Sequence, residues 1–469
     1  MVDGRVAGSF RDPAGFVFTR EGVLYRQVNP RFAEHYDHLM SSGLYQALTD
    51  AGLLVRHEEV DVAAHADDAH RVLRPAMVEF ISFPYEWCPG QLRDAALATL
   101  QAQQLALNHG MSLRDASAFN VQFVASRPVL IDTLSFEILP QGQPWVAYRQ
   151  FCQHFLAPLA LASSVDARLL RLLGVHLDGV PLDLAAALLP GRSRLQPGLA
   201  VHLHAHARSQ RRHADDAGRA GAGKGDNKVG TKDAPRFSEQ AFRGLIDSLT
   251  TAVRKQAWEP GESAWRDYYA AKESYSDEAM ASKEELVAKF VGELQPRSVW
   301  DLGANTGRFS WLAARAGASV VALEMDPAAV EVSWRQVVAG EAPAVLPLVM
   351  DLANPSPGLG WGSAERPSLS QRGPADLALA LALIHHLAIA NNVPLTHVAA
   401  WLATLCQWLV LEWVPKDDPM VRRLLASRQD VFDDYCEQGL QDALSGWFDV
   451  VQREPVHGSQ RTLYLLRRR

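Results

Sequence analysis

In GFVFTREGVLYRQV two runs rich in apolar, β-favouring residues flank the polar turn Arg20-Glu21-Gly22, and that pattern predicts a β-hairpin near the N-terminus. A helix is expected to follow from Pro30 to Leu48. RVLRPAMVEFISFPYEW reads as a further strand pair, or as one strand and a linker. PGQLRDAALATLQAQQLALNHG repeats its apolar residues at three and four, opens with proline and stops at Gly110, which predicts a helix. FNVQFV and PVLID then read as short strands. Much further along, SVWDLGANTG, SVVALEM, AVLPLVMD and DLALALALIHHL are four apolar runs separated by helix-compatible segments, and QWLVLEWV and RTLYLL supply more. Continuous apolar strands alternating with helices are the pattern of a parallel sheet covered on both faces.

Between these two regions the rhythm fails. Residues 204–238 are rich in Gly, Ala, Arg, Lys and Asp and nearly devoid of large apolar side chains, so they cannot bury enough surface to order themselves. They are read as a linker between an α+β domain over 1–203 and an α/β domain over 239–469. The 469 residues allow two to three domains. With 46 basic against 53 acidic residues, the net charge of −7 lacks the basic excess that drives sequence-independent phosphate binding, so no nucleic-acid partner is expected. Four cysteines without CxxC spacing exclude a disulfide framework and suit a reducing, cytoplasmic setting. The first fifteen residues carry no apolar run behind a basic start. The longest apolar stretch, Leu377–Ala390, is broken by His385 and His386 and is too short for a membrane span.

The chemistry concentrates after the first apolar run of the α/β domain. Asp301-Leu-Gly-Ala-Asn-Thr-Gly307 closes a strand and precedes a helix over 308–315; Gly303 and Gly307 leave no Cβ in the turn, so a ligand can approach the strand's C-terminal end. The next strand ends at Glu324, twenty-three residues after Asp301, where a carboxylate can accept hydrogen bonds from a ribose diol; Asp326 is the alternative. The third strand ends at Asp351, placed to approach an adenine. The GANTG spacing argues against a GxGxxG dinucleotide site. After the fourth strand, His385 or His386 is a candidate base, or else a packing residue that positions the loop. Asn391 and Asn392 suit the cap of the following helix. Glu412, Lys416, Asp417 and Asp418 form a polar strand-to-helix segment where substrate contacts are possible. Tyr268, Tyr269 and Tyr275 suit either a lid or a core.

The series DLGANTGRFS, ALEMDP, VMD and ALIHHL resembles the motifs of class I S-adenosylmethionine-dependent methyltransferases over about residues 282–469. The resemblance implies a Rossmann-like, doubly wound parallel sheet with S-adenosylmethionine as cofactor. It implies that Asp301, Gly303, Asn305 and Gly307 form the methionine-side loop, with Glu324 at the ribose and Asp351 at the adenine. Asn305 stands where many members have glycine, and asparagine tolerates left-handed backbone.

A second signal precedes the linker. SLRDASAFNVQFVASRPVLIDTLSFE places Asp115, Asn120 five residues later and Asp132 twelve after that, the set that orients a hydroxyl and holds magnesium at a nucleotide's phosphates. It resembles the catalytic loop and metal-binding aspartate of the protein-kinase-like fold, which implies Mg-ATP as a second ligand. Ser9–Gly15 is the candidate phosphate cover, and Arg26, facing Glu34, stands where a lysine is expected. With PYEW and VPKDDPMV, these motifs together resemble a bacterial nodulation-related methyltransferase-like family. The reading is a methyltransferase for a small-molecule or glycan acceptor. The alternatives are a bifunctional kinase and methyltransferase acting on a saccharide or metabolite hydroxyl, and a cofactor-binding scaffold without turnover.

Overall fold

The hairpin forms because Glu21 and Gly22 adopt left-handed backbone at φ 50° and 75°, the geometry that matches strand twist in a two-residue turn. It joins β2 (Gly15–Arg20) to β3 (Val23–Val28) in an antiparallel sheet that also contains β1 (Gly4–Arg5), β4 (His57–Glu59) and β5 (Arg71–Pro75), in the order β1-β2-β3-β5-β4. The computed structural model describes residues 3–66, 68–208, 237–261, 275–341, 344–426 and 428–469. The chain folds as two compact units, Met1–Glu259 and Pro260–Arg469.

In the first unit, the helix expected over 30–48 is two helices, Ala33–Ser41 and Leu44–Asp50, because Gly43 at φ 82° breaks the run. The helix Pro89–Asn108 starts where Gln91 Oε1 accepts the Cys88 amide at 3.0 Å, and it is buried on most sides. Gly110, at φ 69°, turns the chain into β6 (Met111–Leu113), which pairs with β9 (Phe136–Ile138); β7 (Val121–Val124) and β8 (Arg127–Leu130) form a hairpin between them.

Two boundaries differ from expectation. Residues 200–205 are helical, and His204 is buried with Ser193 Oγ 2.8 Å from its Nε2, so order continues past the expected start of the linker; 209–236 lie outside the described residues. The helix Glu239–Arg254 belongs with the first unit. Its stripe of Phe242, Ile246, Leu249 and Val253 is buried, Phe242 lies near Trp145, and Gln104 Nε2 donates to Asp247 Oδ1 at 3.0 Å. An amphipathic helix goes where its apolar stripe is covered, whatever linker precedes it.

In the second unit, β10 (Ser298–Leu302), β11 (Ser319–Glu324), β12 (Val345–Val349), β13 (Ala375–Ala380) and β14 (Cys406–Trp413) are parallel. The sheet order is β12-β11-β10-β13-β14-β16-β15, where β15 (Phe448–Pro455) and β16 (Thr462–Arg468) form an antiparallel pair at one edge. The sheet is thus doubly wound and Rossmann-like, with β16, among the described strands, running against the rest, which a purely parallel reading leaves out. The chain starts at β10, builds outward through β11 and β12, then crosses to β13 and β14. That reversal opens a crevice beyond the C-terminal ends of β10 and its neighbours, the place where open α/β sheets bind ligands. Among the described residues no helix is long and apolar enough to cross a membrane.

Candidate functional site

A cavity of about 540 Å³ opens at those strand ends. Asp301, Gly303, Ala304, Asn305, Glu324 and Asp351 line it, together with Leu383, His386, Leu387, Met420 and Leu424. Gly303 (φ 81°), Asn305 (φ 52°) and Gly307 (φ 92°) all lie in the left-handed region, so the loop after β10 is one that glycine and asparagine adopt at least cost. A Cβ on Gly307 would come within 3.0 Å of Ser333 Oγ and Trp311 Nε1, which makes this position sterically as well as conformationally specific. The amides of Gly303 and Ala304 both donate to the Leu323 carbonyl, at 2.8 and 3.0 Å, and lash the loop to β11.

Two buried acids flank that loop. Asp301 accepts Ser310 Oγ at 2.6 Å, and burial pushes its carboxyl up to about 6. Glu324 accepts the Asn305 amide at 2.9 Å through Oε2 and the Asp326 amide at 2.9 Å through Oε1; burial raises its pKa, and the two amides oppose the rise. A carboxylate accepts up to about four hydrogen bonds, so acceptor capacity remains beyond the Asn305, Asp326 and Met325 amides, on a side chain that lines the cavity. Asp326 instead caps the helix Pro327–Val338 through the Ala328 amide and does not line the cavity. Asp351 lies on the cavity wall, with Oδ1 accepting the Ala353 amide at 2.9 Å.

The adjacent histidines part company. His386 lines the cavity, and burial, with Arg461 second, lowers its pKa to about 4. His385 does not line it. Its ring is buried, its Nδ1 has no hydrogen-bond partner among the described residues, and burial followed by the charges of His386, Arg461 and Lys283 holds it neutral. Asn391 does not cap the next helix: its Nδ2 donates back to the His386 carbonyl at 2.9 Å, while Asn392 Oδ1 accepts from Arg428.

Beside the cavity sits an ion cluster that local sequence does not reveal. Lys283, 2% exposed, donates to Glu412 Oε2 at 2.7 Å and to Tyr275 Oη at 2.9 Å, and Tyr275 donates to Glu412 Oε1 at 2.5 Å. Arg461 joins Tyr275 and also grips Asp418 through Nε at 2.8 Å. Burial alone would raise the Glu412 pKa, but Lys283 and Arg461 reverse this and keep it ionised. Lys283 and Tyr275 reach the cavity wall; Glu412, Lys416, Asp417 and Asp418 do not. Lys416 pairs with Asp430 and Asp417 with Arg422. The expected substrate contacts of this segment are therefore ion pairs and a helix cap. Tyr268 and Tyr269 lie outside the described residues.

In the first unit the three residues of the second signal do meet. Burial first, and the charge of Asp132 second, raise the pKa of Asp115, and the Asn120 side chain hydrogen-bonds to it. Asp115 Oδ1 accepts Gln150 Nε2 at 2.8 Å, and Asn120 Nδ2 donates to Ser135 Oγ at 3.3 Å. Arg26 pairs with Asp132 at 2.5 Å, whereas Glu34, its expected partner, is exposed.

No family model matches the chain. It is similar to the nodulation protein NoeA of Rhizobium meliloti (strain 1021), with 38% identity over 470 residues covering 99% of this chain and 96% of NoeA. Among solved structures, the bifunctional kinase-methyltransferase WbdD aligns at a TM-score of 0.30 and 19% identity, covering 44% of this chain and 42% of WbdD, so the match spans less than half of that protein. The N-methyltransferase NodS from Bradyrhizobium japonicum WM9 aligns at a TM-score of 0.31 and 11% identity over 41% of this chain and 98% of NodS. Magnesium protoporphyrin IX methyltransferase (ChlM) from Synechocystis PCC 6803 with bound SAH aligns at 0.31 and 17% identity over 43% of this chain and 94% of ChlM.

Proposed function

Since the chain belongs to the family of the nodulation protein NoeA, we propose from its site that the second unit is an S-adenosylmethionine-dependent methyltransferase of class I, acting on a small-molecule or glycan acceptor. One observation carries the reading: two buried acids, Asp301 and Glu324, end successive parallel strands on one cavity, and the loop between them is bonded to the second acid. A doubly wound sheet alone supports many functions, so the weight rests on these residues.

The residues fit the cofactor. Glu324 keeps acceptor capacity for a ribose diol, Gly303 lets the ligand approach the loop closely, and Asp351 stands where an adenine edge would lie. S-adenosylmethionine, when bound, supplies a methyl group activated by its sulfonium. Leu383, Leu387, Met420 and Leu424 exclude water from the acceptor end, and His386 faces it. With the cofactor bound, the cavity walls would hold the acceptor in line with the methyl group, and the acceptor's proton would leave past His386 to solvent. A neutral imidazole of pKa about 4 is a weak base, so His386 mainly orients the acceptor, and the rate comes from in-line approach.

The test is incubation of the full chain with methyl-labelled cofactor and a bacterial small-molecule and glycan extract, followed by identification of what becomes labelled. Cofactor binding that Gly303→Arg removes, together with a labelled product, supports the reading. Calorimetry that detects no binding of the cofactor by the unmutated chain overturns it.

A further inference from the structure

A kinase-like layout implies magnesium and a nucleotide between the Ser9–Gly15 loop and Asp132, yet the residues there do not fit them. Ala14 and Leu134 share a sealed apolar cluster with Val28, Phe32, Tyr36 and Leu73. A Cβ built on Gly15 would stand 2.6 Å from Leu134 Cδ1 and 2.2 Å from the Gln27 carbonyl oxygen. The loop thus packs directly onto the residue two beyond Asp132, and side chains fill the layer a phosphate chain would need. The same loop carries an acid, Asp12, which pairs with Arg114, while Arg114 Nε donates to the Leu134 carbonyl at 2.9 Å. A carboxylate in a phosphate cover repels what it should hold.

Asp132 is already committed. One oxygen accepts the Leu134 amide at 2.8 Å, and Arg26 Nη2 lies 2.5 Å from the same carboxylate, with both side chains mostly buried at 13% and 15% exposure. A guanidinium does not lose its proton and cannot yield the site by titration, as a lysine can. Asp115 is occupied by the Ser117 amide at 3.0 Å and by Gln150. Among the described residues, no group of three or more His, Cys, Asp or Glu side chains is arranged to hold a metal ion.

We propose that Arg26 takes the place of the divalent cation at Asp132, so that the first unit is a metal-free clasp that performs no magnesium-dependent phosphoryl transfer. The two ion pairs, Arg26–Asp132 and Asp12–Arg114, tie the β-sheet and its leading loop to the segments after β6 and β8. What the acids supply is cohesion between the parts of one unit.

Two measurements on the full chain test this. The first is calorimetry and thermal melting with ATP, in magnesium and in chelator, beside transfer of labelled γ-phosphate to any component of an extract. The expected result is no magnesium-dependent heat, stabilisation or transfer. The second is hydrogen exchange at the β3 amides in Arg26→Met, Asp132→Asn and the double variant. Each single change strands a buried charge and is expected to raise opening about tenfold or more, and the double variant far less than the product of the two. Magnesium-dependent ATP binding that disappears in Asp132→Asn, or single effects that multiply in the double variant, would overturn the proposal.

Discussion

The Asn305 amide donates to Glu324 Oε2 at 2.9 Å, so the acid at the end of β11 also shapes the loop after β10. The proposed ribose ligand and methionine-side loop are one hydrogen-bonded object, and a change at Glu324 strikes both. In Glu324→Gln the side chain loses its charge and one acceptor oxygen. A hydrogen bond to a charged group contributes about 1.5–3 kcal/mol, so affinity is expected to fall roughly ten- to a hundredfold. S-adenosylmethionine and its demethylated product carry the same ribose, so both should weaken alike in calorimetric titration. A loss confined to the sulfonium form would place Glu324 at the methyl end instead.

His386 faces the cavity as a weak base, so His386→Gln, which keeps a polar side chain there, is expected to retain kcat within about tenfold while raising the acceptor's KM. Initial rates against acceptor concentration decide this. A drop in kcat of a thousandfold, accompanied by loss of the acid limb of the pH profile, would instead make proton removal the main contribution.

The strand ends and the glycine loop were legible because their signals are local. Four apolar runs declare β10 to β13, and the glycines and asparagine at 303, 305 and 307 declare backbone that other residues adopt at a cost. The edge strand β15 was not legible: FDVVQREP is largely exposed and lacks the continuous apolar run that marks the buried strands. Nor was the ion cluster. Lys283 stands in SKEELVAKF, where it looks like part of a solvated helix face, and its partner Glu412 is 129 residues away. Only the tertiary fold brings β14's end to that helix, so no spacing rule encodes the pair. Adjacent positions defeat sequence reading for the opposite reason: His385 and His386 share every local feature, and the backbone turn alone sends one into the cavity and the other into packed protein.

That buried pair has a measurable consequence. Replacing one partner of a buried ion pair leaves an uncompensated charge and costs about 3–5 kcal/mol. In Lys283→Met the stranded group is Glu412, which keeps Tyr275 as a donor and Arg461 at 3.7 Å, so the low end of that range is expected. The denaturant midpoint of the second unit should fall accordingly, and Lys283→Met with Glu412→Gln should recover part of the loss. Additive losses in the pair of changes would show that Lys283 stabilises through its ammonium over the Phe309 and Tyr275 rings rather than through Glu412.

The pH dependence of stability sets two groups against each other. Asp301 titrates at about 6 in the folded chain against an ordinary 3.8, so the fold holds its proton more tightly. That contribution is present in full below 3.8 and is lost as pH rises through about 6, roughly 3 kcal/mol at 1.36 kcal/mol per unit. His386 goes the other way, from an ordinary 6.5 down to about 4, so its contribution is present above 6.5 and is lost as pH falls to about 4, again roughly 3 kcal/mol. The two nearly cancel. Glu324, raised by burial, has the sign of Asp301, but His385 and Glu412, both lowered, have the sign of His386, and three groups against two tip the balance toward acid destabilisation. Urea midpoints taken from pH 7 to pH 4 should therefore fall in the unmutated chain, fall more steeply in Asp301→Asn, and flatten in His386→Gln. A midpoint that rises on acidification would mean that the two raised carboxyls outweigh the three lowered groups and that the histidines are more open to water than their packing implies. Cofactor affinity adds an independent check, because a sulfonium and an α-ammonium bind better beside ionised Asp301 and should weaken below about pH 6 even where the fold persists.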